Sequence, residues 1–432
     1  MTPAAAAALV FLAGLLAPVK LNMLGEIYLV EVLLPAVAMP ALFSRAARDL
    51  LRSRAFRQLL WAAALTLAGY VLSDIFRGTR PDQYLRGWGR VLLVVSDFLC
   101  LALLAARNPR NIWWFVLGVG LGRVAELRFL EHLPLPMWKF GYAEPMLLVA
   151  AALGAMLPRR VAALWFVVLA YLSAKYDFRT FVLLGLVLAA FSWHRGPAPG
   201  SSPRTGRIVA LGTALAGAAV VGYLSLALIG GDYWTSRRAT SNAGREAAMQ
   251  VGWIAISRSP LVGYGSWPES PELATLYRKL TYDALGATWL NPSVGDTVFT
   301  PHSQILQAWM EGGVLGAAFF FVLLWHVAKQ LPYVLFRRPR DALSAILVYY
   351  LATGLLNIFI SPFSAPHRVG IAVVAACMVL LAAERARAKG AQGPGMAISG
   401  HGPGPALGVR RAPSLLVRPG VRPMRRAPPP RS

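Results

Sequence analysis

The sequence predicts an all-α, polytopic transmembrane helical bundle with one long hydrophilic loop. Hydrophobic residues make up 56% of the 432 residues, and charged residues make up only 14%. Such a composition is too apolar for an ordinary soluble domain. A bilayer core requires about 20 mostly apolar residues per helix, which gives about 12 candidate transmembrane helices. The net charge of +24 lies in short loops and in the tail. No nucleic-acid-binding motif accompanies it, so nucleic acid is not an expected partner.

The apolar runs follow one another up to residue 230 and resume after residue 309. In chain order, the predicted transmembrane helices lie near residues 4–20, 25–44, 58–76, 91–106, 111–128, 143–157, 160–175, 178–194, 208–230, 310–329, 342–361 and 366–384. The first run lacks a basic segment before it, so we interpret it as an uncleaved helix rather than a signal peptide. Cys100 and Cys377 fall inside apolar runs, which predicts packed thiols rather than disulfides.

Basic residues predict the topology. Clusters of arginine occur at residues 44–57, 107–110, 158–160, 194–207 and 337–340, and a basic tail follows Glu384. Loops rich in lysine and arginine favour the cytoplasmic side, and about 12 helices would place all of these clusters on that side. Both termini are then expected in the cytoplasm, and the long loop is expected on the outer side.

The chain divides into segments of different character. We predict transmembrane helices 1–9 in residues 1–230, an outer loop with an amphipathic helix in 231–302, and transmembrane helices 10–12 in 303–387. Residues 388–432 are rich in Gly, Pro and Arg, which predicts a disordered basic cytoplasmic tail. Long loops on a membrane protein usually carry function, so the site is expected near residues 231–302.

One predicted outer loop, residues 77–90, breaks the charge rule. It holds Arg77, Arg80, Arg86 and Arg90. Attraction of an anionic ligand would explain four arginines there, and Arg86 and Arg90 would share one face of a helix. The alternative is that these arginines contact lipid phosphates or the nearby aspartates.

A second charged stretch lies between the predicted seventh and eighth transmembrane helices. Lys175, Asp177 and Arg179 are so close to the apolar runs that Arg179 is expected at the membrane surface. Charged residues at such depth are costly and tend to mark functional sites. A local ion pair with Asp177 is the alternative interpretation.

The long loop contains a predicted amphipathic helix that begins after Asn242, a good N-cap residue. Met249, Trp253 and Ile256 follow at helical spacing and form a predicted packing stripe. Arg245 would then lie in the first helical turn, where free N–H groups attract anions. A guanidinium there can bind phosphate through two hydrogen bonds, unless the adjacent Glu246 simply offsets its charge.

The stretch Thr300–Gly316, "TPHSQILQAWMEGGVLG", brings polar groups to the edge of an apolar run. Ser303 is a predicted N-cap, which places His302 at a helix N-terminus. The helix dipole there disfavours imidazolium and leaves a neutral ring that can accept a proton. Glu311 is expected to orient its neighbours through a hydrogen bond or an ion pair. A histidine of this kind is often structural, so that alternative stays open.

Together these segments resemble the O-antigen ligase and O-antigen polymerase family of bacterial envelope enzymes. The similarity covers about residues 171–325 and depends on three motifs. They are an arginine that opens a mid-chain helix, an arginine followed by an aromatic residue, Pro and Gly-x-Gly, and His-Ser-x-x-Leu followed by Glu-Gly-Gly-x-x-Gly. The matching residues are Arg179; Arg245, Trp253, Pro260, Gly263 and Gly265; and His302, Ser303, Leu306, Glu311, Gly312, Gly313 and Gly316.

The resemblance implies a GT-C-like glycosyltransferase in the bacterial inner membrane, with its active site facing the periplasm. Such enzymes move a glycan from a polyprenyl diphosphate carrier to an acceptor hydroxyl. The family's functional residues map to Arg179, Arg245 and His302, with Ser303 and Glu311 in support. Arg86 and Arg90 are further candidates for binding the diphosphate.

The resemblance leaves the reaction open in several respects. The acceptor is lipid A-core or a similar molecule in a ligase, and another lipid-linked repeat in a polymerase. Membrane lipids are expected partners in either case, and neither a cofactor nor a metal is expected, because Asp232, Asp283 and Asp296 are scattered. A transporter or flippase for a lipid-linked sugar is the alternative from another class, although paired repeats typical of transporters are not apparent.

Overall fold

The computed structural model describes residues 2–22, 26–176, 178–194, 232–285, 300–336, 338 and 340–390. The chain divides into two units, Met1–Arg387 and Ala388–Ser432. The predicted helix 208–230, Asp177 and almost all of the predicted disordered tail lie outside the described residues.

The described residues of the first unit are almost entirely helical. The helices are α1 Pro3–Leu15, α2 Leu29–Leu42, α3 Arg45–Arg52, α4 Arg54–Arg77, α5 Pro81–Arg107, α6 Arg110–Ala125, α7 Ala143–Leu153, α8 Arg159–Lys175, α9 Arg179–Trp193, α10 Asp232–Arg258, α11 Pro271–Leu285, α12 Gln304–Gly316, α13 Ala318–Phe336, α14 Ser344–Ile360 and α15 Arg368–Gly390. Strands β1 Lys20–Asn22 and β2 Glu26–Tyr28 form a small antiparallel hairpin. The all-α prediction is confirmed apart from this hairpin.

Four described helices are long and apolar enough to cross a membrane: Arg54–Arg77, Pro81–Arg107, Ala318–Phe336 and Ala365–Ala388. Helices α2 and α3 meet at a bend of 101° and can count together as a fifth, broken span. Ala4–Leu15, Ala143–Met156, Arg179–Trp193 and Ser344–Ile360 are apolar but shorter. These features are those of an all-α membrane protein, and the count of about 12 spans stays a prediction.

The hairpin separates two predicted transmembrane runs, 4–20 and 25–44. Helix α1 ends at Leu15, shortly before Pro18, which cannot donate the backbone hydrogen bond that a continuing helix requires. Lys20 pairs with Tyr28 across the hairpin. Glu31, in the first turn of α2, accepts a hydrogen bond from the Tyr28 amide at 2.8 Å and forms a buried ion pair with Arg368.

The predicted outer loop 77–90 is mostly helix. Helix α5 begins at Pro81, ten residues before the apolar run, and Asp82 lies in its first turn. Proline at the first helical position and an acidic residue beside it both favour a helix start. Arg86 and Arg90 therefore lie on α5, and the connection from α4 is short.

The predicted helix start at Asn242 is wrong. Helix α10 begins at Asp232, so Asn242 lies inside it and Arg245 is far from its N-terminus. An asparagine inside a helix costs only about 0.7 kcal/mol relative to alanine, which does not force a boundary. Arg245 therefore does not lie beside the free N–H groups of a first helical turn, and the predicted anion site formed with those groups is wrong.

The predicted packing stripe on α10 is confirmed at Ile256, which is 3% exposed, and wrong at its other two positions. Met249 and Trp253 are exposed, by 36% and 52%, whereas small residues face the protein. Ala248 and Val251 are buried, and a Cβ on Gly252 would lie 3.2 Å from Pro301. Small residues on this face let α10 approach its neighbours α11 and α12 closely.

Candidate functional site

A buried ion pair lies at the centre of the helix packing around α12. Arg90 on α5 donates from Nη2 to Glu311 Oε2, and their side chains are 2% and 0% exposed. Tyr70 donates to the same oxygen at 2.7 Å, and Gln307 Nε2 donates to Glu311 Oε1 at 3.0 Å. Arg90 Nη1 also donates to the carbonyl of Phe363 at 2.7 Å. Arg90 and Glu311 are therefore buried partners within the helix packing, and neither side chain is accessible from the surface.

The glycine-rich turn 260–265 docks on the same part of α12. The amide of Tyr264 donates to the Met310 carbonyl at 2.8 Å, and the amide of Gly265 donates to the Glu311 carbonyl at 3.0 Å. In the other direction, the amide of Val314 donates to the Pro260 carbonyl at 3.0 Å. Two motifs that are far apart in the sequence therefore form one interface.

Glycine is required on both sides of this interface. Gly313 has φ +65° and interrupts α12, and a Cβ there would lie 1.9 Å from the Leu261 carbonyl oxygen. Gly263 has φ +83°, and its Cβ would lie 2.6 Å from the Glu311 carbonyl oxygen. Positive φ is accessible to glycine at little cost, and side chains would prevent the close approach. The predicted run 310–329 therefore has a kink at Gly313 inside α12, and it divides into α12 and α13 at Ala317.

The arginines near the start of α5 differ in their contacts. Arg77 donates to the Gly263 carbonyl at 2.9 Å and to Ser259 Oγ at 2.8 Å. Arg80 pairs with Asp82 and Glu269. Arg86 is exposed and makes no hydrogen bond or ion pair with another described residue. Of the two predicted diphosphate ligands on α5, Arg86 is therefore accessible and Arg90 is buried.

His302 lies on the surface directly before α12. Ser303 caps the helix as predicted, because its Oγ accepts from the Leu306 amide at 3.4 Å. The same Oγ donates to the Ile358 carbonyl at 3.0 Å, which ties this end of α12 to α14. Ser303 is buried, whereas the His302 side chain is exposed. The cap therefore fixes the backbone that presents the histidine.

Arg245 and His302 come together in space although 57 positions separate them in the sequence. Neighbouring groups partly shield the His302 imidazole from water, which lowers its pKa, and the positive charge of Arg245 lowers that pKa further. Both side chains are exposed, and neither makes a hydrogen bond or an ion pair with any residue in the described ranges. The pair thus combines an imidazole whose lowered pKa favours the neutral form with an accessible cation.

Arg179 is the first residue of α9 and is exposed. Helix α9 packs against α8, α7 and α14, whereas Arg245 lies on α10. The neighbouring Phe178 lines a cavity of about 250 Å³ together with Lys20, Arg123 and Lys139. Arg179 therefore follows a residue that lines a cavity with cationic side chains, while His302 and Arg245 form a separate pair.

A second cavity of about 90 Å³ adjoins the first. Both cavities are lined by Val119, Glu144, Leu148, Pro366 and Val369. Gln304 and Tyr349 line only the smaller cavity, and Gln304 follows His302 by two positions. The two cavities form one cleft that extends from the cationic lining to the start of α12.

The sequence did not identify the residues of this cleft as functional. A charged residue near the end of an apolar run is costly, and that cost could have marked three of them as functional candidates. They are Lys20, Arg123 and Glu144. Gln304 gave no signal of its own, since its burial depends on contacts with α14. Among the described residues, no group of three or more His, Cys, Asp or Glu side chains could hold a metal ion; Asp296 lies outside the described residues.

One comparison with known proteins bears on the site. A family model described as O-Antigen ligase matches residues 146–321. This region contains Arg179, Arg245 and His302, together with both halves of the glycine interface. No curated protein matches the chain.

Proposed function

We propose that this chain, a member of the O-antigen ligase and polymerase family, is a glycosyltransferase that moves a glycan from a polyprenyl diphosphate carrier to an acceptor hydroxyl. The acceptor in this proposal is lipid A-core or a similar molecule, reached at the periplasmic face of the inner membrane. The proximity of Arg245 to His302 is the observation that carries the proposal.

The chemistry of transfer matches the properties of these two residues. The acceptor oxygen forms a bond to the anomeric carbon, and the bond from that carbon to the diphosphate oxygen breaks. The diphosphate leaves with the electron pair, and the acceptor proton moves to the neutral imidazole of His302. A preorganised arginine stabilises the negative charge that develops on the leaving group. In this proposal Arg179 contacts the diphosphate from the side of the cleft, and Arg245 favours the neutral form of His302.

The remaining predicted residues take different roles in the proposal. Arg86 is accessible and can extend the phosphate contacts. Arg90 and Glu311 act as positioning residues, because their ion pair is buried and holds α12 against α5. Ser303 acts by capping α12 and fixing the backbone next to His302.

Transfer by purified wild type and His302→Ala tests the proposal. Each protein receives a polyprenyl diphosphate-linked glycan, with lipid A-core as acceptor in one reaction and a second lipid-linked repeat in another. Loss of general-base catalysis typically costs 10²–10⁴-fold, so His302→Ala is expected to lose about that factor in rate. His194→Ala, a histidine at the end of α9, is the matched control and is expected to keep wild-type activity.

The outcomes separate the candidate functions. Wild-type transfer to lipid A-core alone supports a ligase, and transfer to the lipid-linked repeat alone makes the chain a polymerase. A fully active, folded His302→Ala would remove the proposed base. Movement of lipid-linked sugar across vesicle membranes, without any transfer product, would replace the enzyme with a transporter.

A further inference from the structure

The smaller cavity contains buried polar groups that have no partner. Gln304 is 1% exposed, and neither its amide nitrogen nor its amide oxygen has a hydrogen-bond partner. The hydroxyl of Tyr349, which is also 1% exposed, is likewise unpartnered. Both residues line the same cavity. Buried polar groups without partners destabilise a fold, so such groups in a cavity are available for hydrogen bonds to a ligand or to water.

Glu144 extends this polar surface to the junction of the two cavities. It lines both of them and is exposed to their space, and it makes no hydrogen bond or ion pair with a described residue. The donors and acceptors at this junction are a carboxylate, a primary amide and a phenol. Hydroxyl groups can pair with all three, because a hydroxyl both donates and accepts. The junction therefore suits a hydroxyl-rich ligand.

The larger cavity has a different chemical character. Lys20, Arg123 and Lys139 line it, and Arg179 follows its lining residue Phe178. Arg123 also forms ion pairs with Glu126 and Glu131. Cations of this kind favour phosphate oxygens. A ligand that fills both cavities would thus carry a phosphate group next to a hydroxyl-rich group.

The shared lining indicates where the hydroxyl-rich group would lie. Glu144 lines both cavities. A sugar ring beside Glu144 would have the cations of the larger cavity on one side, and Gln304 and Tyr349 of the smaller cavity on the other.

We propose that Glu144, Gln304 and Tyr349 bind the sugar ring that is bonded directly to the donor diphosphate. This inference rests on the proposed function, because the diphosphate of that donor is the group that would occupy the cationic part of the cleft. The ring is held in the part of the cleft next to the start of α12, two positions from His302. Gln304 and Tyr349 are thus residues that determine which sugar the protein accepts.

Binding of two kinds of lipid tests the proposal. One is a bare polyprenyl diphosphate, and the other is the same lipid carrying one glucose, galactose or N-acetylglucosamine. Wild type is expected to bind at least one sugar-bearing lipid about tenfold more tightly than the bare lipid, since each satisfied hydrogen bond adds up to about that factor. Gln304→Leu and Tyr349→Phe are expected to lose this preference while binding the bare lipid as wild type does.

Thermal stability without ligand gives an independent readout. Gln304→Leu replaces unpartnered polar atoms with apolar ones, so its unfolding midpoint is expected to rise by about 2–4 °C. Gln307→Leu is the matched control on the same helix and is expected to unfold at a lower temperature, because Gln307 bonds Glu311 and the Phe363 amide. Tyr171→Phe, an exposed tyrosine on α8, is the control for Tyr349→Phe.

Three results would overturn the inference, and they differ in what else they overturn. Unchanged sugar preference in Gln304→Leu and Tyr349→Phe would remove the sugar subsite and leave glycan transfer standing. Equal wild-type affinity for all four lipids, with transfer intact, would do the same. Failure of wild type to bind any of the lipids or to transfer glycan would overturn both proposals.

Discussion

Nine positions separate His302, which lies just before α12, from Glu311, which lies within it. The two side chains differ in burial and in hydrogen bonding. Glu311 is 0% exposed, and three side chains donate hydrogen bonds to its carboxylate. His302 is exposed, and within the described ranges it has no hydrogen-bond partner. Both residues belong to the same sequence motif, His-Ser-x-x-Leu followed by Glu-Gly-Gly-x-x-Gly. The motif therefore contains one residue that stabilises the packing and one that is available for chemistry.

This contrast extends to the residues that contact each region. Around Glu311, the turn 260–265 and the kink at Gly313 are fixed by backbone hydrogen bonds and close contacts. Near His302 lies the charged side chain of Arg245, which makes no ion pair with a described residue. A rigid interface next to an open charged pair agrees with the proposed transfer reaction, because that reaction needs fixed supports for its reacting groups.

The largest effect is expected from breaking the buried ion pair. Glu311→Ala leaves the guanidinium of Arg90 buried without a counter-charge, and loss of one partner of such a pair costs about 3–5 kcal/mol. Thermal unfolding of the purified protein measures this loss. The double variant Arg90→Met with Glu311→Met removes both charges and is expected to be more stable than Glu311→Ala. A wild-type unfolding midpoint for Glu311→Ala would show that the pair does not stabilise the packing.

A somewhat smaller effect is expected from Gly313→Ala. The added Cβ would overlap the Leu261 carbonyl oxygen, and the residue would have to adopt positive φ. Strain and overpacking together are expected to cost about 2–4 kcal/mol in the free energy of unfolding. Gly89→Ala is the matched control, because no atom lies within 4 Å of its added Cβ and it lies inside helix α5. Equal stability of the two variants would contradict the close packing at Gly313.

Hydropathy predicted much of the helical framework. The predicted helices 160–175 and 178–194 agree closely with α8, Arg159–Lys175, and α9, Arg179–Trp193. Hydropathy did not predict helices in charged segments, and it did not predict interruptions inside apolar runs. Residues 81–90 are charged and helical, and the apolar run 310–329 is broken at Gly313, where φ is +65°. The break depends on contact with the distant turn 260–265, which no local pattern contains.

The candidate site was predictable only in part. The motifs predicted Arg245 and His302 as site residues, and the structure places the two near each other. The prediction that Arg245 lies in the first turn of its helix is wrong, because Arg245 lies inside α10. The burial of Arg90 and the unpartnered atoms of Gln304 depend on which helices pack around them. Long-range packing of this kind leaves little trace in a single sequence.

The smallest expected effect is a change in pH dependence, which tests the exposed pair alone. A positive neighbour disfavours imidazolium, so Arg245 lowers the pKa of His302, and Arg245→Gln is expected to raise that pKa. A base must be neutral to accept a proton, and activity therefore falls as the pH drops through the pKa of His302. In wild type this acidic limb should lie below the usual histidine pKa of about 6.5. It should move to higher pH in Arg245→Gln and stay in place in Arg245→Lys, which keeps the charge. The transfer rate as a function of pH measures the limb separately from any loss of maximal rate. The same acidic limb in all three proteins would show that Arg245 does not set the protonation of His302 during transfer.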